Sequence, residues 1–441
     1  MKLRNPLDHL RPRTVRIGVT GLARSGKTVL LTALAATLLA RDALGGRIAS
    51  ARIAPAGADS LPRFDVSRHL AALAADPPRW PDRTNAVSLL ALDLTIAGGV
   101  LPDRQIRLEL LDYPGEWLMD LPLLDLSFAD WSRQAMTRLE APAIRAAAEP
   151  FLRFASALPA GSDADEALVA AGHRLYVSTL HALRDRFGLS LLQPGRFLMP
   201  APGEAPPWSL FFPLASSSPL ARLMERRYSQ YVEATRESLL SPAFGRIDRL
   251  VVLADILGAL HAGPDAFADA QAALAAASGA LRWQGSWLQA VAALARLQLP
   301  PRVITRVCYA ASKADHVSER QRGNLAALMG ALTDTEQRRG VRSGNGSSSL
   351  AIAALRCTED FVWTLDGHPV SAVRGRRLGE DRMTRSYPGE VPDKPPGPEF
   401  WQHPFLELPV FEPPVLTDGG RDGVPNIGLD ALLDTLLGDL L

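Results

Sequence analysis

Lysine is nearly missing from this chain. Among 48 basic residues in 441 positions, only Lys2, Lys27, Lys313 and Lys394 are lysines, and the other 44 are arginines. Genome composition accounts for such a bias. It still has a use: a surviving lysine marks a place where a compact ammonium serves better than a planar guanidinium. Cysteine is scarce as well. Cys308 and Cys357 cannot build a disulfide framework or a zinc cluster, which fits a reducing compartment. Net charge is all but absent, since 48 basic and 47 acidic residues leave +1. That excludes the electrostatic footprint of a nucleic-acid binder. No run of ~18 uncharged apolar residues occurs, so no transmembrane segment is expected. The longest apolar runs, residues 29–40 and 250–260, are too short, and the second contains Asp255. The first 14 residues hold Arg, Asp, His and two prolines in place of a secretory apolar region. From these absences a cytoplasmic location is expected.

What remains is ordinary globular composition, 47% apolar and 22% charged. Residues 15–20 (VRIGVT) read as a strand, and residues 27–41 as a buried helix. Residues 88–96 and 105–111 read as a hairpin around Gly98-Gly99 and Pro102-Asp103. From Asp120 to about Gly188 the pattern is helical, and residues 193–214 are a proline- and aromatic-rich loop. Residues 218–240 and 265–299 read as helices; 250–254, 303–310 and 347–354 read as strands. Residues 363–426 are rich in proline, glycine and charge, and residues 428–441 carry a leucine stripe on an amphipathic helix. That stripe is expected to dock on the protein's own core, because its polar face is acidic and unsuited to anionic lipid. Strands alternating with helices imply an α/β fold with a mostly parallel sheet.

Residues 21–28 read GLARSGKT, the phosphate-loop pattern Gly21-x4-Gly26-Lys27-Thr28. Its glycines let backbone amides turn towards phosphate oxygens. Lys27 reaches the β- and γ-phosphates, and the Thr28 hydroxyl ligates Mg²⁺. The helix N-terminus adds its dipole. The strand before and the helix after supply the required context. Gly21, Arg24, Ser25, Gly26, Lys27, Thr28 and Val29 are therefore candidate nucleotide contacts.

Residues 108–111 lead into Asp112-Tyr113-Pro114-Gly115-Glu116. An aspartate ending a strand, with glycine three residues later, matches the D-x-x-G switch of GTPases. Asp112 would hold Mg²⁺ and the Gly115 amide would meet the γ-phosphate. Where Ras-like enzymes place a water-orienting glutamine, this chain has Glu116. Its charge sits badly beside a γ-phosphate, so slow hydrolysis is expected. Between the two motifs lies Trp80-Pro81-Asp82-Arg83-Thr84. Thr84 is the candidate switch threonine on Mg²⁺, and Arg83 a candidate arginine finger in cis.

Residues 311–315 read Ala-Ser-Lys-Ala-Asp and resemble the [NT]KxD guanine-reading motif, with Ser312 at its first position. Asp315 would accept from the guanine N1–H and its amino group, and the Lys313 stem would cover the base. Residues 354–358 (ALRCT) stand where a further base loop belongs, which makes Arg356, Cys357 and Thr358 candidate contacts through backbone amides. Core packing is the expected role of both cysteine side chains. Asp112 and Asp315 are 203 positions apart, far more than a minimal GTPase core needs. The expected organisation has four parts: a first part of the core at 15–118, an inserted helical domain at 119–245, a second part of the core at 246–362, and a proline-rich tail with its helix at 363–441.

GLARSGKT, the WPDRT segment, residues 110–124 (LLDYPGEWLMDLPLL), 191–200 (LLQPGRFLMP), 248–257 (DRLVVLADIL) and 311–316 (ASKADH) resemble the YcjX family of bacterial P-loop NTPases. The resemblance runs through most of residues 15–360. It implies a Ras-like GTPase core with an inserted helical domain, binding GTP or GDP with Mg²⁺. It also implies a stress- or phage-shock-associated setting. The neighbour would be a membrane-associated protein partner, with a peripheral position at the inner membrane and no nucleic acid. Two alternatives stand beside a slow GTPase switch. One is an ATP-dependent phosphotransferase; the other is a nucleotide-stabilised scaffold with vestigial catalysis.

Overall fold

The computed structural model describes residues 13–441 except 56–60, 83–86, 100–101, 201–202, 204, 241–246, 279–303, 343–345, 366, 381, 403–407 and 417; for 239–240 and 335–342 it describes the backbone only. The first elements in chain order are β1 (Arg13–Gly21), α1 (Lys27–Leu39), β2 (Ile48–Ile53), α2 (Val66–Leu73), β3 (Ser88–Ile96) and β4 (Arg104–Asp112). Helices follow: α3 (Gly115–Leu118), α4 (Phe128–Leu139), α5 (Arg145–Ala157), α6 (Glu166–Phe187), α7 (Gly195–Leu198) and α8 (Pro219–Leu240). Then come β5 (Arg249–Ala254), α9 (Ile256–Ala262) and α10 (residues 264–278). The chain continues through β6 (Arg306–Ala311), α11 (Glu319–Arg342), β7 (Gly346–Ala351), β8 (Thr358–Leu365), β9 (His368–Arg376), β10 (Met383–Ser386) and α12 (Leu429–Leu437).

These elements form two compact units. The first takes residues 1–113, 246–263 and 302–441, and the second takes 114–245 and 264–301. The first unit is an α/β fold built on a seven-stranded sheet of order β2-β3-β4-β1-β5-β6-β7. From β4 to β7 the pairs are parallel, and β2 and β3 extend the sheet antiparallel. The hairpin read from glycine and proline signals pairs Ser88 with Asp112 and Ile96 with Arg104. β5 is buried at every position, as its unbroken apolar run requires of a strand covered on both faces. α1 is buried from Leu30 to Leu38 around its whole circumference, so it shows no amphipathic stripe.

The leucine stripe of α12 packs into the same core. Leu429, Leu432, Leu433, Leu436, Leu437 and Leu440 are each at most 2% exposed and belong to the cluster formed by β1, β3, β4 and α1. Ion pairs hold its C-terminal half and the residues just after it: Arg249 meets Asp439 at 2.9 Å, and Arg47 meets Asp434 at 2.7 Å.

Two expectations differ from the structure. Residues 114–118 and 264–278, both counted with the core, belong to the second unit. The proline- and glycine-rich tail holds a three-stranded antiparallel sheet, β10-β9-β8. Its signal was the alternating run TEDFVWTL followed by Asp366-Gly367, the pair favoured in two-residue hairpin loops. Phe411 fills the space under this sheet and is 2% exposed; a Cβ on Gly375 would lie 2.8 Å from its ring.

The second unit is helical. Trp131, Phe151, Phe211 and Phe212 are almost fully buried at its centre, with Trp131 stacked on Tyr228 at 5.2 Å. The aromatics of the proline-rich loop thus serve as core. Among the described residues no helix is long and apolar enough to cross a membrane.

Candidate nucleotide-binding site

Five parallel strands, in the spatial order β4, β1, β5, β6, β7, present their carboxyl ends along one edge of the sheet. Open α/β sheets bind ligands at that edge. Asp112, the phosphate loop, Asp255, the Lys313–Asp315 segment and residues 352–358 follow these five strands in turn.

Gly21 ends β1. A Cβ there would lie 2.5 Å from the Leu253 carbonyl oxygen and 2.7 Å from Ser25 Oγ, so only glycine lets the loop leave this close to β5. The Leu22 amide donates to the same carbonyl at 2.8 Å. Arg24 and Gly26 take left-handed backbone, φ +61° and +86°. Gly26 then caps α1 without a side-chain hydrogen bond, and no acidic residue stands in the first turn. The first amides of a helix lack intrahelical partners and carry partial positive charge. Gly26 itself brings no side chain to cap them, which suits an anion. Ser25 Oγ adds a buried hydroxyl with no partner among the described residues. Lys27 Nζ donates to the Gly21 carbonyl at 3.3 Å, folding the ammonium back over the loop. Thr28 and Val29 open α1 half-buried.

Asp112 ends β4 opposite Val19 of β1 and is 2% exposed. Thr28 and Asp112 thus belong to adjacent elements at one edge. Two hard oxygen donors fit Mg²⁺, which keeps several waters and shares the phosphates of its nucleotide. Among the described residues no three of His, Cys, Asp and Glu gather to hold a metal by themselves. Arg83 and Thr84 lie outside the described residues. Just before them, Trp80 Nε1 donates to the Phe411 carbonyl at 3.0 Å.

Gly115 and Glu116 open the second unit as the start of α3. Glu116 Oε2 is buried and has no hydrogen-bond partner among the described residues. Inside that unit the segment after the switch is tied to residues 193–199. A Cβ on Gly195 would overlap the Glu116 carbonyl oxygen at 1.7 Å, and Trp117 Nε1 donates to the Met199 carbonyl at 2.8 Å. Asp120 is wholly buried between them, accepting from the Tyr231 hydroxyl and the Gly195 amide, each at 2.6 Å. Burial pushes its carboxyl up to about 6 against the lowering effect of those donors.

Lys313 is the third described residue other than glycine with left-handed backbone, φ +60°. Two of those three, Arg24 and Lys313, therefore stand in the two motifs that the sequence picked out, where strained backbone tends to gather. The Ser312 amide and Oγ both donate to the Ala254 carbonyl, at 2.9 and 3.3 Å. The Lys313 ammonium pairs with Asp255. Asp315 is 4% exposed and accepts the Cys357 amide at 3.0 Å. The Thr358 hydroxyl donates to the Asp315 carbonyl.

The loop expectation changes for two of its three amides: that of Cys357 is already spent on Asp315. The Arg356 amide donates to the Pro425 carbonyl at 2.7 Å and is spent within the chain. Its guanidinium instead meets Asp360 at 2.9 Å, where Arg322 also binds at 2.8 Å. Burial drives the Cys357 thiol far above its usual range, with Asp315 adding to the effect. Burial pushes Cys308 up to about 12. Burial thus favours the neutral thiol at both positions. Asp255 and Asp360 are the residues that the sequence reading missed. For Asp255 the signal was an acidic residue directly after the buried run LVVLA.

Residues 15–441 match the model of the YcjX-like family, DUF463. The chain is similar to a protein of Escherichia coli named Ras-like GTPase YcjX, 32% identical with 100% of this chain and 99% of the relative covered. A protein of the same name from Shewanella oneidensis is 30% identical, with 100% and 97% covered.

Proposed function

This chain belongs to the YcjX-like family, and from that premise we propose that it is a GTP-binding P-loop NTPase. It binds GTP or GDP with Mg²⁺, hydrolyses GTP slowly and acts as a nucleotide-dependent switch. The observation that carries the reading is one sheet edge bearing two motifs in strained backbone. The first is Gly21–Thr28 with its glycine-capped helix start; the second is Lys313–Asp315, two strands away. The names of its relatives support the guanine assignment. In this reading the α1 amides and Lys27 hold the phosphates, and Thr28 and Asp112 hold the ion. Mg²⁺, when bound, neutralises phosphate charge. Asp315 reads the base while Lys313 covers it. Thr84, Arg83, Gly115 and Glu116 complete the γ-phosphate side, and Glu116 in place of glutamine keeps turnover slow. The setting is a stress or envelope process with a membrane-associated protein partner.

Calorimetric titration with GTP, GDP and ATP, with and without Mg²⁺, tests it. Lys27→Ala should abolish binding, and equal affinity of the wild type for ATP and GTP would overturn the guanine assignment. The buried oxygen of Glu116, with no hydrogen-bond partner among the described residues, favours one second reading, a nucleotide-stabilised scaffold with vestigial catalysis. In that case GTP binds tightly and its γ-phosphate is never released.

A further inference from the structure

Asp255 belongs to none of the motifs that carry the reading above. It directly follows β5, the strand between the phosphate-loop strand β1 and the base-motif strand β6. Its carboxylate works in two directions. Oδ1 accepts the Gly258 amide at 2.9 Å and caps α9. Oδ2 pairs with the ammonium of Lys313. No other acidic side chain forms an ion pair with Lys313 among the described residues.

The backbone around Lys313 is pinned on both sides. Ser312 is held to Ala254, and the Ala314 amide donates to the Ile352 carbonyl at 3.0 Å. What this leaves undetermined is the long side chain itself, 42% exposed against 16% for Asp255. A free lysine stem would sample many rotamers, and binding a nucleoside would have to suppress them. Asp255 removes that freedom beforehand. An ammonium has three protons to donate; Asp255 takes one and leaves two.

We propose that Asp255 is a positioning residue for the nucleoside: it holds the Lys313 ammonium in the place where it covers the base and donates to nucleoside oxygens. The proposal rests on the guanine-nucleotide reading above. Asp255 touches no part of the nucleotide itself and acts through Lys313.

Asp255→Asn separates its two duties. Asparagine caps a helix as well as aspartate does, so α9 keeps its start while Lys313 loses its counter-charge. Release of a fluorescent GDP from the full-length protein is followed by stopped flow. The expected result is release roughly 5- to 10-fold faster, the scale of one charge-assisted contact. The melting temperature should be unchanged, and so should the preference for GDP over IDP, because Asp315 makes that distinction. Asp255→Ser, which also caps, should behave like Asp255→Asn. The double variant Asp255→Asn, Lys313→Ala should release GDP no faster than Lys313→Ala alone, since both substitutions remove one interaction. Wild-type release rates in Asp255→Asn, or effects of the two substitutions that multiply, would overturn the proposal. Failure of the guanine reading is a separate result, visible in the wild type as equal affinity for ATP and GTP.

Discussion

Gly26→Ala isolates one physical term of the phosphate loop. Gly26 has φ +86°, and a Cβ added there meets nothing within 4 Å. Crowding is therefore not the issue. The cost is conformational, since left-handed backbone disfavours an L-residue by roughly 1–2 kcal/mol. Without ligand, the loop can escape by rotating to negative φ, and the protein loses little stability. With nucleotide, the amides at the start of α1 must point at the phosphates, and the cost returns as weaker binding. At 1.4 kcal/mol per tenfold, that is a loss of about 5- to 30-fold in GDP affinity. Calorimetry in Mg²⁺ measures it. Gly26→Asn is the control, because asparagine tolerates left-handed backbone and should lose clearly less. The reasoning fails if Gly26→Ala binds GDP within twofold of wild type, or if the asparagine variant is as weak as the alanine one.

Gly21→Ala acts by the other mechanism. Its Cβ would stand 2.5 Å from a backbone oxygen, so stability should fall by about 1–3 kcal/mol with no ligand present, read as a lower urea midpoint. Leu436→Ala empties a fully buried site in α12 and should cost about 2–5 kcal/mol in the same assay. Asp315→Asn should move base preference from guanine to xanthine, seen by competition of XDP against GDP. The His316 ring is half-buried next to Asp315 with its Nδ1 covered, and this desolvation lowers its pKa below the usual 6.5. The folded state thus favours neutral imidazole while the unfolded chain takes up a proton. That contribution is complete above pH 6.5 and is lost as pH falls below it. Stability should decline on acidification, and His316→Phe, keeping the ring beside Phe411, should flatten the decline.

The sequence was most legible where one rule acted alone. Residues 88–96 show as a strand because nine positions of apolar pattern end in glycine and proline signals, and β3 has those bounds. The phosphate loop shows because no other chemistry needs that glycine and lysine spacing. Strands β8 to β10 were hidden because proline, glycine and charge dominate the composition of the tail, while its alternation is carried by Phe361 and Trp363 among acidic and hydroxyl neighbours. Residues 264–278 were placed wrongly because an alanine-rich helix says nothing about which body it joins. In part that choice rests on Asp269, which meets Arg138 and the amides of Ser190 and Leu191, 78 to 131 positions away. Asp255 was missed for a similar reason: its partner Lys313 lies 58 positions away, and no local pattern links them.

The place of α12 has a consequence for biosynthesis. β1 pairs with β5 across 232 positions, Ile17 to Arg249, and the second unit is made in between. α12 comes off the ribosome after every strand it covers. The leucine-lined hollow on the sheet therefore stays open through most of synthesis, while the helical unit can already be complete. Domains tend to fold as they emerge, yet this core is closed only by material made after it. Nascent chains stalled before residue 429 should bind hydrophobic dyes and holding chaperones, and chains stalled far enough on for α12 to be free should not.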